Sequence, residues 1–300
     1  MPRTILALIG HGQWGKNYLT TAQEIPECHI KYVCSRDYKK LLRYKEIDGI
    51  IIATPPSTHF DIASFFLLHA MPLLIEKPLT TGYQDALRLL RMHKESAPVV
   101  LVGHIFFYNP AFLRLKTLVP HIGTLVSIDS EGTNFGPMRS DVSALWDWAP
   151  HEISMGMSLM GASPSAVQGW SLRTKISGRE TDDMVYMKLV FGKISMFSKI
   201  GWLSPIKTRR FTVTGTHGAI IFDDMHPVRK LKQLSGALRA VISYPSYEKT
   251  APLENQLREF ISCIRLKRKP RTDLAHGVEC VRVIDAVERS IRQKGKYISL

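Results

Sequence analysis

The first hundred residues alternate short, almost wholly apolar runs with longer segments of mixed polarity. Residues 4–9, 30–34, 49–53, 72–75 and 99–102 read as strands, and 14–23, 38–44, 59–69 and 82–94 as the helices between them. Continuous apolar runs of this length are buried on both faces. Strand–helix alternation then implies a parallel sheet covered by helices.

After residue 103 the rhythm changes. Helices are expected over 111–119 and 148–160, then longer strand-like segments over 184–190, 193–200, 211–214 and 219–222, several separated by turn residues. Consecutive strands with short turns imply an antiparallel sheet. Leu253, Leu257, Phe260, Ile261 and Ile264 fit one helical face, and Leu274, Val278, Val281, Ile284, Val287 and Ile291 another, with Asp273 placed to cap the second. The expected class is α/β. An N-terminal doubly wound Rossmann domain over 1–103 is followed by an α+β domain with an open, mostly antiparallel sheet over 104–272. A closing helix and strand over 273–300 return near the domain junction.

Composition narrows the class. With 45% apolar and 22% charged residues, the 300-residue chain has the balance of a globular protein. Its four cysteines show no metal-ligand spacing and read as reduced thiols of a cytoplasmic protein. No leader or membrane-spanning run is visible, and no metal is expected. The +14 charge clusters at Lys207-Arg209-Arg210, Arg229-Lys230-Lys232 and 265–271, which suits nucleic acid, anionic membrane or phosphorylated substrates. No nucleic-acid module accompanies it, so a solvated basic surface is the expectation, with neither nucleic acid nor membrane as partner.

Gly10-His11-Gly12-Gln13-Trp14-Gly15 follows the first strand and opens the first helix. In that context the pattern is a dinucleotide loop. Gly10 permits the turn, Gly12 lets backbone approach a pyrophosphate, and Gly15 packs helix on sheet. The helix N-terminus, with Gln13 and Trp14, then faces phosphate. At the end of the second strand stand Ser35 and Arg36, which suit the 2′-phosphate of NADP. Asp37 one position later suits NAD, so NADP is the preferred cofactor and NAD the alternative.

Three further segments stand in order: Thr54-Pro55-Pro56-Ser57-Thr58-His59 after the third strand, Glu76-Lys77-Pro78 after the fourth, and Asp147-Trp148-Ala149-Pro150-His151 early in the second domain. With the glycine loop they resemble the glucose–fructose oxidoreductase, inositol dehydrogenase and MocA family over nearly the whole chain. Residues 103–110 are similar to that family's entry into its substrate domain, and 252–300 to its closing elements. The resemblance implies hydride transfer between a nicotinamide and a polyhydroxylated small molecule: a sugar, nucleotide-sugar or cyclitol. It also implies a cis peptide before Pro78, and a homo-oligomer, dimer or tetramer, formed through the C-terminal sheet.

Chemistry supports the same residues. His151 is a general base, since imidazole titrates near neutrality. Lys77 stabilises charge on the substrate oxygen. Asp147, four residues before His151, shares its helical face and either orients the imidazole or binds a substrate hydroxyl. Thr54, Pro55, His59, Glu76 and Lys77 are expected to border the cofactor, with a purely structural place as the alternative for His59, and Tyr108, Asn109, Asp147 and His151 the substrate. Strand packing stands as the alternative for His104 and Asn109. Trp146 and Trp148 read as core, and Glu152 carries no expected role. The segment 36–47 is short for the family, which concerns the adenosine pocket more than the catalytic centre. A different class stays open beside the enzyme: a catalytically silent, dinucleotide-binding regulator of the same fold.

Overall fold

The structure, a computed structural model, describes residues 3–93, 98–139, 141–175, 180–236 and 241–300. The chain divides into two compact units: Met1–Tyr108 with Thr250–Val281, and Asn109–Lys249 with Arg282–Leu300.

The first unit opens with β1 (Thr4–Ile9), α1 (Gln13–Gln23) and β2 (Cys28–Cys34). A short 3-10 helix, Tyr38–Arg43, leads to β3 (Gly49–Ile52), then α2 (His59–Leu68), β4 (Leu73–Glu76), α3 (Tyr83–Met92) and β5 (Val100–Gly103). Lys94, the expected end of the third long helix, lies outside the described residues. The five strands form a parallel sheet in the order β2-β1-β3-β4-β5. β3, β4 and β5 are buried along their whole length, as their continuous apolar sequences require. Between β1 and β3 the winding direction reverses, and a ligand crevice opens at the carboxyl ends of strands at such a point.

The second unit contains α4 (Pro110–Leu118), β6 (Leu125–Phe135), α5 (Ala144–Met160), β7 (Ala166–Thr174), β8 (Thr181–Phe191) and β9 (Ile194–Gly201). It continues through β10 (Leu203–Gly215), β11 (Gly218–Asp223), β12 (Leu231–Ser235) and β13 (Val241–Ser243). The chain closes with α6 (Pro252–Leu266), α7 (Leu274–Arg292) and β14 (Ile298–Ser299). The second sheet runs β13-β12-β11-β10-β6-β9-β8-β7-β14. It is antiparallel except for the β6–β9 pair. One face is covered by α5, which packs on β6, β8 and β9. The other carries Trp170, Tyr186 and Phe197, all exposed, with a Lys199–Glu131 ion pair of 3.0 Å across β9 and β6.

The expected boundaries change in two respects. Strands β6, β7, β12 and β13 were not expected, and α5 begins four residues earlier than expected, so Asp147 lies inside it. Residues 250–281 belong to the first unit, not to a domain over 104–272. The reason is the apolar face of α6: Leu253, Leu257, Phe260 and Ile261 share one core with Leu6, Leu8, Tyr18 and Ile51. Asp273 caps α7 as expected, its Oδ1 accepting from the His276 amide at 2.8 Å.

Candidate active site

In the first unit the glycine loop joins β1 to α1. Gly10 has φ +103°, and a Cβ there would lie 2.4 Å from the Ala53 carbonyl oxygen, so the turn ending β1 closes against the turn ending β3. A Cβ on Gly15 would meet the Gly10 oxygen at 2.1 Å. A Cβ on Gly12 would meet nothing within 4 Å, so this backbone faces open space. Gly12 is the N-cap of α1, and no side chain caps that end. Exposed Gln13 and Trp14 begin the helix. Open space beside a helix start whose amides lack side-chain acceptors fits a pyrophosphate.

Ser35 and Arg36 follow β2 and are exposed, and Arg36 makes no ion pair among the described residues. Asp37 adopts a left-handed conformation with its carboxylate 2.7 Å from Lys40 Nζ, an exposed pair. At the end of β3 the Thr54 hydroxyl accepts from Thr58 Oγ1 at 2.7 Å, and Pro55 is exposed.

Two residues expected to border the cofactor, His59 and Glu76, are buried and hydrogen-bonded within the first unit. His59 is fully buried, with Nδ1 2.8 Å from the Pro78 carbonyl and Nε2 3.0 Å from that of Thr54. Burial lowers its basicity, and the two carbonyls pull the other way. The imidazole thus ties the loop after β3 to the loop after β4. Glu76 is also buried. Its Oε1 accepts from the Tyr18 hydroxyl at 2.5 Å, and Tyr18 in turn accepts from Gln256 Nε2 at 2.8 Å. Burial raises the Glu76 carboxyl, opposed by the Tyr18 hydrogen bond and the Lys77 charge. Lys77 follows, half-buried, and its peptide to Pro78 is cis as the resemblance implied.

Tyr108 and Asn109 do not serve as expected. Tyr108 is fully buried, its hydroxyl 2.9 Å from Thr272 Oγ1, and it belongs to the core of the first unit. Asn109, also buried, caps α4: its Oδ1 accepts from the amides of Ala111 at 3.0 Å and Phe112 at 3.3 Å. Both side chains are committed to the fold, so neither is free to grip a substrate. His104 is buried too, both ring nitrogens lacking a hydrogen-bond partner among the described residues, and it stands edge-on to His276 at 5.1 Å. Burial lowers the basicity of both imidazoles, that of His276 to about 4.

In the second unit α5 presents Asp147 and His151 one turn apart, both partly exposed. Asp147 Oδ1 accepts from Arg139 Nη1 at 3.0 Å, and the same guanidinium holds Asp141 through Nε at 2.9 Å and Nη2 at 2.6 Å. Trp148 is half-buried under a cation: the Arg209 guanidinium carbon lies 3.5 Å from its ring centroid.

The model of the Gfo/Idh/MocA oxidoreductase family matches residues 18–104 as its NAD-binding Rossmann fold and 139–300 as its C-terminal alpha/beta domain. The chain belongs to the Gfo/Idh/MocA oxidoreductase family. It is 32% identical over 124 residues to UDP-N-acetylglucosamine 3-dehydrogenase of Acidithiobacillus ferrooxidans, a stretch covering 41% of this chain and 39% of that relative. It is 22% identical to 4-carboxy-2-hydroxymuconate-6-semialdehyde dehydrogenase of Sphingobium sp., over 97% of this chain and 99% of the other. An aldose-aldose oxidoreductase from Caulobacter crescentus, solved with glycerol, has the same fold: TM-score 0.87, 16% identity, 99% of this chain and 100% of that one.

Two residues of this Gfo/Idh/MocA chain acquire interest only from the structure. Glu152, next to His151, is buried, and Gly132 makes room for it: a Cβ there would stand 2.7 Å from Glu152 Oε1. Glu152 Oε2 has no hydrogen-bond partner among the described residues. Burial lifts this carboxyl to about 7, against the hydrogen bond from Ser130 and the charge of Arg209. Arg209 lies on β10 opposite Gly132 of β6, and the basic cluster in the sequence gave no sign that it differs from its neighbours. Among the described residues no group of three metal-ligating side chains gathers, and no helix is long and apolar enough to cross a membrane.

Proposed function

We propose that this protein is an NAD(P)-dependent dehydrogenase or reductase moving a hydride between a nicotinamide and a hydroxyl or keto carbon of a sugar, nucleotide-sugar or cyclitol. The observation that carries this reading is the open backbone at Gly12 beside the uncapped start of α1, set in a chain of an NAD-binding oxidoreductase family. The dehydrogenase of A. ferrooxidans, named for a nucleotide-sugar, supports the substrate class.

Gly10, Gly12, Gly15 and the first amides of α1 hold the pyrophosphate. Exposed Arg36, without an ion pair among the described residues, supports NADP over NAD together with Ser35, because Asp37 is engaged by Lys40. When bound, the nicotinamide supplies the hydride acceptor. His151 takes the proton of the substrate hydroxyl, and Lys77 stabilises negative charge on that oxygen. Asp147 binds a neighbouring hydroxyl or steadies the imidazole, itself held in place by Arg139.

The exposed row of Trp170, Tyr186 and Phe197 on the outer sheet face supports a homo-oligomer formed through that sheet. Light scattering tests this, and a monomer at working concentration refutes it. The four free cysteines support a reducing compartment, the cytoplasm.

Calorimetric titration with NADPH and NADH, side by side, tests the central reading. Binding of either supports it, and tighter NADPH binding assigns Ser35 and Arg36 to the 2′-phosphate. If neither binds, the oxidoreductase reading fails.

A further inference from the structure

Among the described residues, three arginines on the second sheet and its connections meet a carboxylate. Arg139 holds Asp141 and Asp147, Arg173 lies 3.2 Å from Asp182, and Arg210 lies 3.2 Å from Asp223. Arg209 does not. It forms no ion pair among the described residues, although burial lowers its basicity to about 10. The acids whose charge it feels most are Glu152, Asp224 and Asp147. Asp224 is engaged by Lys230 at 2.6 Å, and Asp147 by Arg139. Glu152 is the remaining one, and its carboxyl keeps an oxygen without a partner among the described residues rather than closing on the guanidinium.

The guanidinium is nevertheless fixed. Nη1 donates to the carbonyls of Thr133 at 2.9 Å and Thr208 at 2.7 Å, and the guanidinium carbon lies 3.5 Å from the Trp148 ring centroid. Nε and Nη2 make no hydrogen bond among the described residues, and the side chain remains partly exposed. A guanidinium immobilised on one side, with two donors uncommitted and no carboxylate closing on it, is prepared for an external anion. Trp148 also ties it to α5, where it stands between Asp147 and Ala149, within a turn of His151.

We propose that Arg209 anchors an anionic group of the substrate, a carboxylate or a phosphate, so that this site takes an acidic polyol in preference to a neutral one. The assignment rests on the reading above that α5 carries the substrate end of the reaction. Arg209 is then a specificity-determining residue: it binds a part of the substrate that does not react, while Asp147 and His151 attend to the hydroxyl.

The test uses glucose, glucuronate and glucose 6-phosphate as probes, titrated calorimetrically into the full-length protein with and without NADPH or NADH. The expected result is at least tenfold tighter binding of one of the two anionic sugars than of glucose. Glucuronate as the tighter partner assigns a carboxylate, and glucose 6-phosphate a phosphate. In Arg209→Gln the preference falls to near unity. Arg209→Lys keeps the charge but loses the fork and retains only part of it. Arg210→Gln, one residue away on the opposite face, leaves the preference unchanged. Equal binding of all three sugars by the wild type overturns the proposal, as does an unchanged preference in Arg209→Gln. Should Arg209→Gln fail to give a cooperative melt, Arg209→Lys decides: a drop of threefold or more supports the proposal, and no change overturns it. An Arg209-dependent anion preference in a protein that binds neither dinucleotide refutes the oxidoreductase reading and leaves this one standing. Dinucleotide binding without an anion preference does the reverse.

Discussion

Tyr18 of α1 donates its hydroxyl to Glu76 at the end of β4 at 2.5 Å, joining the helix that follows the glycine loop to the carboxylate that precedes Lys77. Both side chains are buried, and Gln256 of α6 completes the chain by donating to Tyr18. Removing one hydroxyl leaves a buried carboxyl short of a donor, which costs more than an average hydrogen bond. Tyr18→Phe is therefore expected to destabilise the protein by about 1–3 kcal/mol. Urea unfolding checks this. A loss within error of zero would show that Glu76 finds another donor.

The three glycines of the loop divide by function. At Gly10 the positive φ and the Ala53 oxygen leave no room for a side chain, so Gly10→Ala is expected to lower stability by about 2–4 kcal/mol. At Gly12 the backbone is extended and a Cβ meets nothing, so Gly12→Ala folds, at a cost of about 1 kcal/mol for the poorer N-cap. It is expected to lose dinucleotide affinity by tenfold or more, because the methyl occupies the open space at the helix start. Thermal melts and calorimetry separate the two effects. Undiminished affinity in a well-folded Gly12→Ala would place the pyrophosphate elsewhere.

Lys77→Ala and His151→Ala are expected to lose turnover by about 10²–10⁴-fold, the range for a positioned acid–base group, while keeping dinucleotide affinity within a few fold. Steady-state rates and cofactor titration on the same preparations check this. Loss of cofactor binding in both variants would move the catalytic centre elsewhere.

Glu152 makes stability depend on pH in a defined direction. Its carboxyl is lifted by burial to about 7 in the folded chain, against about 4.3 in an unfolded one. The folded state thus retains the proton that the unfolded state releases. The stability it contributes is present below about pH 4 and is lost as pH rises through about 7. Between pH 5 and pH 8 the loss is of order 2 kcal/mol. Glu152→Gln, which cannot ionise, is expected to gain on the wild type by about that amount between these two pH values in urea unfolding. An equal difference at both would mean that Glu152 titrates normally.

The sequence by itself determined the first unit's sheet and the glycine loop. There β1, β3, β4 and β5 are almost wholly apolar runs, a glycine or proline stands in the turns after β1, β3 and β4, and Asp273 announces the helix it caps: all of these are local signals. It also placed Asp147 and His151 one turn apart, because helical spacing is a property of neighbours. The tertiary structure decided what depends on distant partners. β6 carries Ser127, Asp129, Ser130, Glu131 and Thr133, and its polar pattern hides a central strand whose neighbours supply the burial. α6 joins the first unit because its apolar face fits the core around Tyr18 rather than because of where it falls in the chain. Tyr108 and Asn109 have side chains suited to a substrate, but Thr272 and the start of α4 claim them. Arg209 reads in sequence as one cation among several. Its place on Trp148, with no ion pair among the described residues, arises only when β10 is hydrogen-bonded to β6 beneath α5, since desolvation and pairing of a charge are set by groups far away along the chain.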